Sequence, residues 1–244
     1  MKGMTKMNRK IAMSASASEV RTPVFAGMTV RSMLSPLLIA LAFVASSAFA
    51  ASAGEVSNLS GTLSVKRADG SSKLLSVKSQ VEPGDTLSTE AGTYARVKFI
   101  DGGEVVLRPG TQVKVDAYSY DSAKPAADSQ VISLLKGGLR AITGLIGKRN
   151  REKISYVTPT ATIGIRGTNL GAQLEDDGSL NVDVAEGAVV VKNSGGEIEV
   201  SVGQFAFVKS GDSPPTLIVN GKKVDVPENI GGGIGKDGGS SCTM

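Results

Sequence analysis

The residue types that most enzymes use for acid–base and nucleophilic chemistry are almost absent from this 244-residue chain. It contains no histidine, and its one cysteine, Cys242, lies in a glycine-rich tail. Histidine-dependent catalytic triads, Cys–His nucleophiles and zinc sites built from His or Cys are therefore excluded. Carboxylates remain, but acidic residues 175–177 precede Gly178 in a predicted hairpin, which is typical of a solvated turn. The residues predict a protein that is not an enzyme and needs neither metal nor cofactor.

A short basic run at residues 148–153 is the first candidate for a binding contact. Its four cations surround one acid and are of the kind that contact anionic lipid or an acidic protein surface: Lys148, Arg149, Arg151 and Lys153. The alternative is a solvated loop. A phosphate-binding loop is excluded, because Ile142 occupies the position of its first glycine and Arg149 follows its lysine.

The most informative stretch runs from residue 154 to residue 168. Pro159 cannot donate to a sheet ladder and marks the entry or edge of a strand. Gly164 and Gly167 give the backbone freedom on both sides of Arg166. The Arg166 guanidinium either reaches a carboxylate or backbone carbonyls, or faces solvent as an ordinary strand residue.

Strands are predicted almost throughout the chain beyond residue 53. Apolar and polar residues alternate at 61–66, 94–99, 112–116, 180–184 and 197–202, which places one face of each strand in a core and the other in water. Turn sequences rich in Gly, Pro and Asp separate them. This pattern indicates an all-β sandwich, barrel or solenoid.

Three local questions stay open. Residues 131–153 are read as strands flanking one short turn, with a helical turn at 141–147 as the alternative. Residues 61–66 and 187–192 are similar, as in a structural repeat or in any two hairpins. Residues 227–244 are expected to be a flexible glycine-rich tail, because they hold too little apolar area to offset the entropy of ordering.

The N-terminal 50 residues have the features of a signal peptide. An uncharged apolar run from residue 33 to residue 49 follows Arg31, and the small residues Ala48 and Ala50 fit a cleavage site after position 50. The alternative is a retained membrane anchor, although the run is shorter than a spanning helix requires. The leader holds six of the 27 basic residues and one of the 23 acidic residues, so the mature chain is nearly neutral and no nucleic-acid partner is expected.

Five stretches together resemble the FecR domain family: residues 81–89, 97–102, 134–140, 157–168 and 184–187. The resemblance implies a periplasmic domain over residues 51–226, with many short strands in a solenoid-like or sandwich arrangement. It also implies a family motif, expected to be structural, at Thr158, Pro159, Thr160, Gly164, Arg166, Gly167 and Thr168. Well-known members are transmembrane anti-sigma regulators. We expect only the periplasmic part of such a regulator to have a counterpart in this chain, because no cytoplasmic sigma-binding domain is recognised.

Three classes of function remain. The favoured one is an exported, periplasmic, non-catalytic module that binds or scaffolds an envelope protein or glycan and has no stable membrane span after cleavage. A membrane-anchored FecR-type signal transducer would require the leader to be retained. A carboxylate-based glycan hydrolase would require two acids about 5–10 Å apart in one cleft. We expect binding through an exposed strand edge; the rival is that chain segments near residue 56 and at 217–226 cap the edges.

Overall fold

The computed structural model describes residues 52–231, which form seventeen β-strands and two short α-helices. Ala48, Ala50 and the rest of the predicted signal peptide lie outside the described residues, as does the tail from residue 232 onward. Within the described part of the chain, no helix is long and apolar enough to cross a membrane. The all-β prediction is confirmed.

The strands form two sheets that share β9 (Ser129–Ile142). In hydrogen-bonded order, sheet A contains β4 (Gln80–Val81), β1 (Gly54–Leu59), β6 (Ala95–Phe99), β7 (Glu104–Leu107), β9, β12 (Asn169–Leu174), β13 (Leu180–Glu186), β16 (Phe205–Val208) and β17 (Thr216–Ile218). Sheet B contains β3 (Ser72–Leu75), β2 (Leu63–Lys66), β5 (Thr86–Thr89), β8 (Gln112–Ser119), β9, β10 (Ile154–Val157), β11 (Thr162–Ile165), β14 (Ala188–Asn193) and β15 (Gly196–Ser201). Among the strand pairs of residues 52–231, only β9–β10 is parallel.

Strand β9 passes from one sheet to the other at Gly137. Residues before it pair with β8 and β10 in sheet B, and residues from Gly137 onward pair with β7 and β12 in sheet A. Gly137 has φ of 77°, and a Cβ there would lie 2.8 Å from the Thr111 Cα. Glycine is required at this bend, because any side chain would be strained and would collide with backbone.

The inward side chains of both sheets form one hydrophobic core. Val97 and Val182 contribute from sheet A, and Leu63 and Ile163 contribute from sheet B, all less than 2% exposed. The chain reaches this arrangement by placing successive hairpins in alternate sheets. The architecture is therefore a sandwich built in a solenoid-like manner, as the strand pattern predicted.

The two similar sequence stretches occupy equivalent places in the fold. Strands β1 and β4 pair in sheet A on either side of the β2–β3 hairpin of sheet B, and β13 and β16 do the same around the β14–β15 hairpin. Residues 61–66 and 187–192 each open the hairpin that forms one edge of sheet B. The similarity reflects a structural repeat.

The segment between β9 and β10 is helical, not a simple turn between strands. Helix α1 spans Leu145–Arg149, and a 3-10 turn follows at Arg151–Lys153. The main-chain N–H of Leu145 donates to the Asp101 carbonyl (2.9 Å), and that of Ile146 donates to Asp101 Oδ2 (3.2 Å). Asp101, buried in the β6–β7 turn, therefore supplies its main-chain carbonyl and its carboxylate as acceptors for the first turn of the helix.

The outer face of sheet A is covered by residues 221–230, which we call the C-terminal strap. Asp183 was expected to face water because it alternates with apolar residues, but it is 4% exposed. Val224 lies over it, and its N–H donates to Asp183 Oδ1 (2.8 Å). Ile230, just before the end of α2 (Glu228–Gly231), packs against Val106. The ordered chain thus extends beyond the expected boundary at residue 226.

Candidate protein-binding surface

The first half of the family motif builds the turn between β10 and β11. The Thr158 hydroxyl accepts the N–H of Ala161 (2.9 Å) and of Thr160 (3.2 Å), while Pro159 lies exposed at the turn. The Thr160 hydroxyl donates to the Gly178 carbonyl (2.5 Å) and ties this turn to the β12–β13 hairpin. These side chains satisfy backbone groups of the turn, so their contacts are structural.

The second half of the motif carries the chain from sheet B to sheet A. Gly167 has φ of 77° between β11 and β12, and a Cβ on Gly187 would lie 1.9 Å from the Gly167 carbonyl oxygen. Thr168 donates its N–H to the Thr143 hydroxyl (3.2 Å), and its carbonyl accepts the Thr143 N–H (3.0 Å). Gly187 lies at a second crossing, where the chain returns from β13 in sheet A to β14 in sheet B. The two crossings therefore pack directly against each other, and the hydrogen bonds of Thr168 link them to the residue after β9.

The structure brings the remaining motif residues together with part of the basic run. A groove of about 430 Å³ on the outer face of sheet B is lined by Arg151, Ser155, Gly164, Arg166 and Val190, among others. We call it the Gly164 groove. It is open above Gly164, where an added Cβ would meet only the Val190 carbonyl oxygen, at 3.9 Å. Small residues on three neighbouring strands leave room here for another chain.

Arg166 reaches a carboxylate across this groove. Its Nη1 lies 3.2 Å from Glu199 Oε2, and the two side chains are 56% and 50% exposed. An ion pair this open to water contributes about 1 kcal/mol or less, so both charges remain available to a partner.

All four cations of the basic run are exposed, but Arg149 also makes contacts within the fold. Arg149 donates to both oxygens of the buried Asp128 (2.7 and 3.0 Å) and to the Asp121 carbonyl (2.8 Å), and its guanidinium lies 4.7 Å from the Tyr120 ring centroid. The hydrogen bonds that Arg149 donates to the Asp128 carboxylate raise the pKa of Arg149. The donors of Arg149 therefore serve the fold, and its expected contact with a partner surface stays a prediction. Lys148, Arg151 and Lys153 are exposed.

Strand β15 borders the Gly164 groove and forms an edge of sheet B. The Arg166 N–H donates to the Ala188 carbonyl (3.0 Å). Every second residue of β14 from 188 onward therefore directs its main-chain N–H and C=O groups toward β11, and the residues between them direct theirs toward β15. In the observed register, Ile198 and Val200 direct their main-chain N–H and C=O groups toward β14. Glu197 and Glu199 direct theirs away from the sheet. Ser201 also faces outward, but its N–H donates to Gln204 Oε1 (2.8 Å).

The four sheet edges differ in how open they are. Sheet A ends in the two-residue β4 and the three-residue β17, and such short strands blunt its edges. Sheet B ends in the four-residue β3 and the six-residue β15, each paired on one side only. On β3, Lys73 shares the inward face with the buried Val65, and such a charge discourages strand addition. The longest open edge is β15.

Acidic side chains protect this edge. Glu197 pairs with Lys192 (3.4 Å) on the neighbouring strand, and Glu199 pairs with Arg166. Charges on an edge strand oppose indiscriminate pairing while permitting a partner with complementary charges. In residues 52–231, no group of three or more Cys, Asp or Glu residues is placed to hold a metal ion.

Sequence reasoning identified Gly164, Arg166 and Arg151 but missed Glu197 and Glu199. The alternation at 197–202 correctly predicted a strand. Which of its residues turn their backbone groups outward depends on the pairing with β14, which no local pattern reveals.

Comparison with known proteins identifies one family. Residues 85–190 match the family described as FecR protein, a stretch that contains the Gly164 groove. Two crystal structures of a candidate anti-sigma factor from Parabacteroides distasonis ATCC 8503 are similar to the chain, with 18% and 17% identity and a TM-score of 0.42 for each. In both cases the match covers 57% of this chain and 60% of the other. A cell surface anchoring domain matches with 24% identity and a TM-score of 0.25, over 26% of this chain and 83% of the other. No curated protein matches the sequence.

Proposed function

We propose that this chain, whose residues 85–190 form a FecR domain, is an exported protein-binding module of the bacterial envelope that works without catalysis. The observation that carries the proposal is the open six-residue edge β15, with the backbone groups of Glu197 and Glu199 directed outward beside the Gly164 groove. An extended segment of a partner protein adds to β15 as a further strand of sheet B. The FecR domain supports a signalling role for this contact.

The edge supplies only part of the binding energy. Glu197 and Glu199 together offer two N–H and two C=O groups. At about 1 kcal/mol for each net hydrogen bond, the four bonds correspond to roughly millimolar affinity. Useful affinity therefore requires side chains of the partner to enter the Gly164 groove, where Arg151 and Arg166 can pair with acidic side chains and Glu152 with a basic one.

Export places the module in the periplasm or beyond. The predicted signal peptide with Ala48 and Ala50 at its cleavage site supports this location. A single cysteine at position 242 means that the fold does not depend on an internal disulfide there. We therefore expect the partner to be an envelope protein.

Affinity capture from envelope extracts with edge variants tests the proposal. Glu199→Pro removes the outward N–H but no ladder donor, and proline is tolerated at such an edge position. Glu199→Ala is the matched control, because it loses the same side chain and keeps the N–H. We expect Glu199→Pro to lose the captured protein while Glu199→Ala retains it.

A second proline variant controls for edges in general. Leu74 lies on β3, at the other edge of sheet B, and is 70% exposed. Leu74→Pro should leave capture unchanged. Capture that survives Glu199→Pro in a folded protein would rule out strand addition at β15.

A further inference from the structure

A row of polar side chains crosses the outer face of sheet A. The observed register places Gly138 beside Gln173, and Gln173 beside Asn181, on β9, β12 and β13. Arg108 follows β7 and joins the row, because its main-chain N–H donates to the Gly138 carbonyl (2.9 Å). The lack of a side chain at Gly138 lets Arg108 Nη1 donate to Gln173 Oε1 (2.7 Å) above it; a Cβ there would lie 2.1 Å from that oxygen.

This row forms the floor of a second groove, which we call the strap groove. Its volume is about 270 Å³, and Tyr94 and the C-terminal strap at Lys222 and Val224 form its walls. The strap is held by buried contacts, since Arg140 Nε donates to the Val224 carbonyl (2.8 Å). The wall is therefore a fixed part of the fold, and the groove is formed without a ligand.

Unused hydrogen-bonding capacity points toward the ligand. Of the five guanidinium donors of Arg108, one on Nη1 donates to Gln173 and the one on Nε is buried, so within the described chain the three others, on Nη1 and Nη2, are left for a ligand. Lys222 is exposed at the rim. Glu175 is the one acid in the lining, and its Oε1 accepts from Asn181 Nδ2 (3.3 Å). Positive charge exceeds negative charge, so the groove favours an anionic group.

The rest of the lining restricts that anion. Glu175 would repel a second negative charge, which disfavours a phosphate dianion and favours a single carboxylate. Amide groups of Gln173 and Asn181 can pair with hydroxyls, and the ring of Tyr94 adds an apolar wall. The volume is close to the lower limit of about 300 Å³ for small-molecule pockets, which fits one sugar ring.

From this lining we infer a binding site for a carboxylate-bearing sugar of the uronate class, alone or as a unit of a longer glycan. The carboxylate lies between Arg108 and Lys222, and the ring hydroxyls face Gln173, Asn181 and Glu175. The site lies on the sheet opposite to β15 and is independent of the protein contact proposed above.

Titration of the full exported chain with D-glucuronate tests the inference, with D-glucose and acetate as separate arms. The readout is the amide side-chain NMR signals of Gln173 and Asn181. We expect saturable shifts with glucuronate and a Kd at least about tenfold lower than for glucose or acetate. Equal binding of acetate and glucuronate would reduce the site to a simple anion contact and overturn the inference, as would the absence of saturable shifts.

Variants identify the groups that bind. Arg108→Gln and Lys222→Gln should each weaken glucuronate binding about tenfold or more, and Arg108→Lys should restore part of the loss because it keeps the charge. Lys66→Gln removes an exposed cation on β2 and should have no effect. Because Lys222 is exposed on the strap, Lys222→Gln should fold normally and its binding can be measured even if Arg108→Gln is unstable. Wild-type binding by Lys222→Gln would contradict the inference.

Discussion

Arg140 and Asp183 form an ion pair across an intervening strand of sheet A. Arg140 lies on β9 and Asp183 on β13, and the residue between them on β12 is Gly171. A Cβ on Gly171 would lie 2.3 Å from Asp183 Oδ1 and 2.7 Å from the Val224 Cβ. The missing side chain lets the two charges meet and lets the strap close over them. Arg140 also donates to Asn169 Oδ1 (3.0 Å), so each of the three nitrogens of the buried guanidinium has an acceptor.

Removing one partner of this pair should destabilise the fold severely. Asp183→Ala leaves Arg140 buried without its counter-charge and removes the acceptor for the Val224 N–H. We expect a loss of about 3–5 kcal/mol in the free energy of unfolding, measured by urea denaturation. Glu199→Ala breaks the half-exposed pair with Arg166 and should cost about 1 kcal/mol or less. Similar losses for the two variants would show that the strap does not exclude water from Arg140.

The two motif glycines, Gly164 and Gly167, and the neighbouring Gly187 should differ in their tolerance of side chains. Gly167→Val places a branched residue at φ of 77° and should cost about 1–3 kcal/mol. Gly187→Ala should cost at least as much, because its Cβ would also overlap the Gly167 carbonyl. Gly164→Ala, in ordinary strand geometry beside open space, is the control and should be nearly neutral. Unchanged melting temperatures for all three would contradict the tight packing of the two crossings.

Stability should fall at alkaline pH because of two buried tyrosines. Burial, together with the charge of Asp101, raises the pKa of Tyr118, and burial raises the pKa of Tyr156. The folded-state pKa of each hydroxyl lies above the unfolded-state value of about 10. The contribution of each tyrosine to the free energy of unfolding is therefore complete below pH 10 and is lost as the pH rises above it.

The variant Tyr118→Phe separates this effect from general alkaline unfolding. The Tyr118 hydroxyl donates to Asp101 Oδ1 (2.9 Å), so the variant should be about 1–3 kcal/mol less stable at pH 8. Above pH 10 its free energy of unfolding should fall less steeply than that of the wild type. Parallel curves from pH 8 to pH 11 would show that Tyr118 does not contribute to the slope.

The mature protein should begin after Ala50. The apolar run and the small residues Ala48 and Ala50 predict cleavage there. Intact-mass measurement of the exported protein should give a chain that starts at residue 51. A mass that includes residues upstream of 33 would instead support a retained anchor.

Local sequence patterns predicted the strands well because alternation is a property of single segments. Residues 95–99 and 180–184 form β6 and the core of β13 as expected. The same reasoning misplaced Asp183 in water, since the covering residue Val224 lies 41 positions away in sequence. It also favoured a turn over the helix that begins at Leu145, whose N-terminal acceptor is Asp101 from another turn.

The candidate surface was predictable only in part for a similar reason. Arg166 and Gly164 stood out because glycines around an arginine are unusual in a strand. Arg151 joins them only because the turn before β10 folds back over sheet B. The outward direction of Glu197 and Glu199 depends on hydrogen bonding to β14, which composition does not encode.

The exchange rates of the main-chain amides of Glu197 and Glu199, with and without the captured partner, test strand addition most directly. In the free protein both N–H groups should exchange fast, while those of Ile198 and Val200 should be protected by β14. With the partner bound, Glu197 and Glu199 should become protected and Leu74 on β3 should remain unchanged. If the partner binds and both glutamate amides still exchange at the free rate, binding through the β15 edge is contradicted.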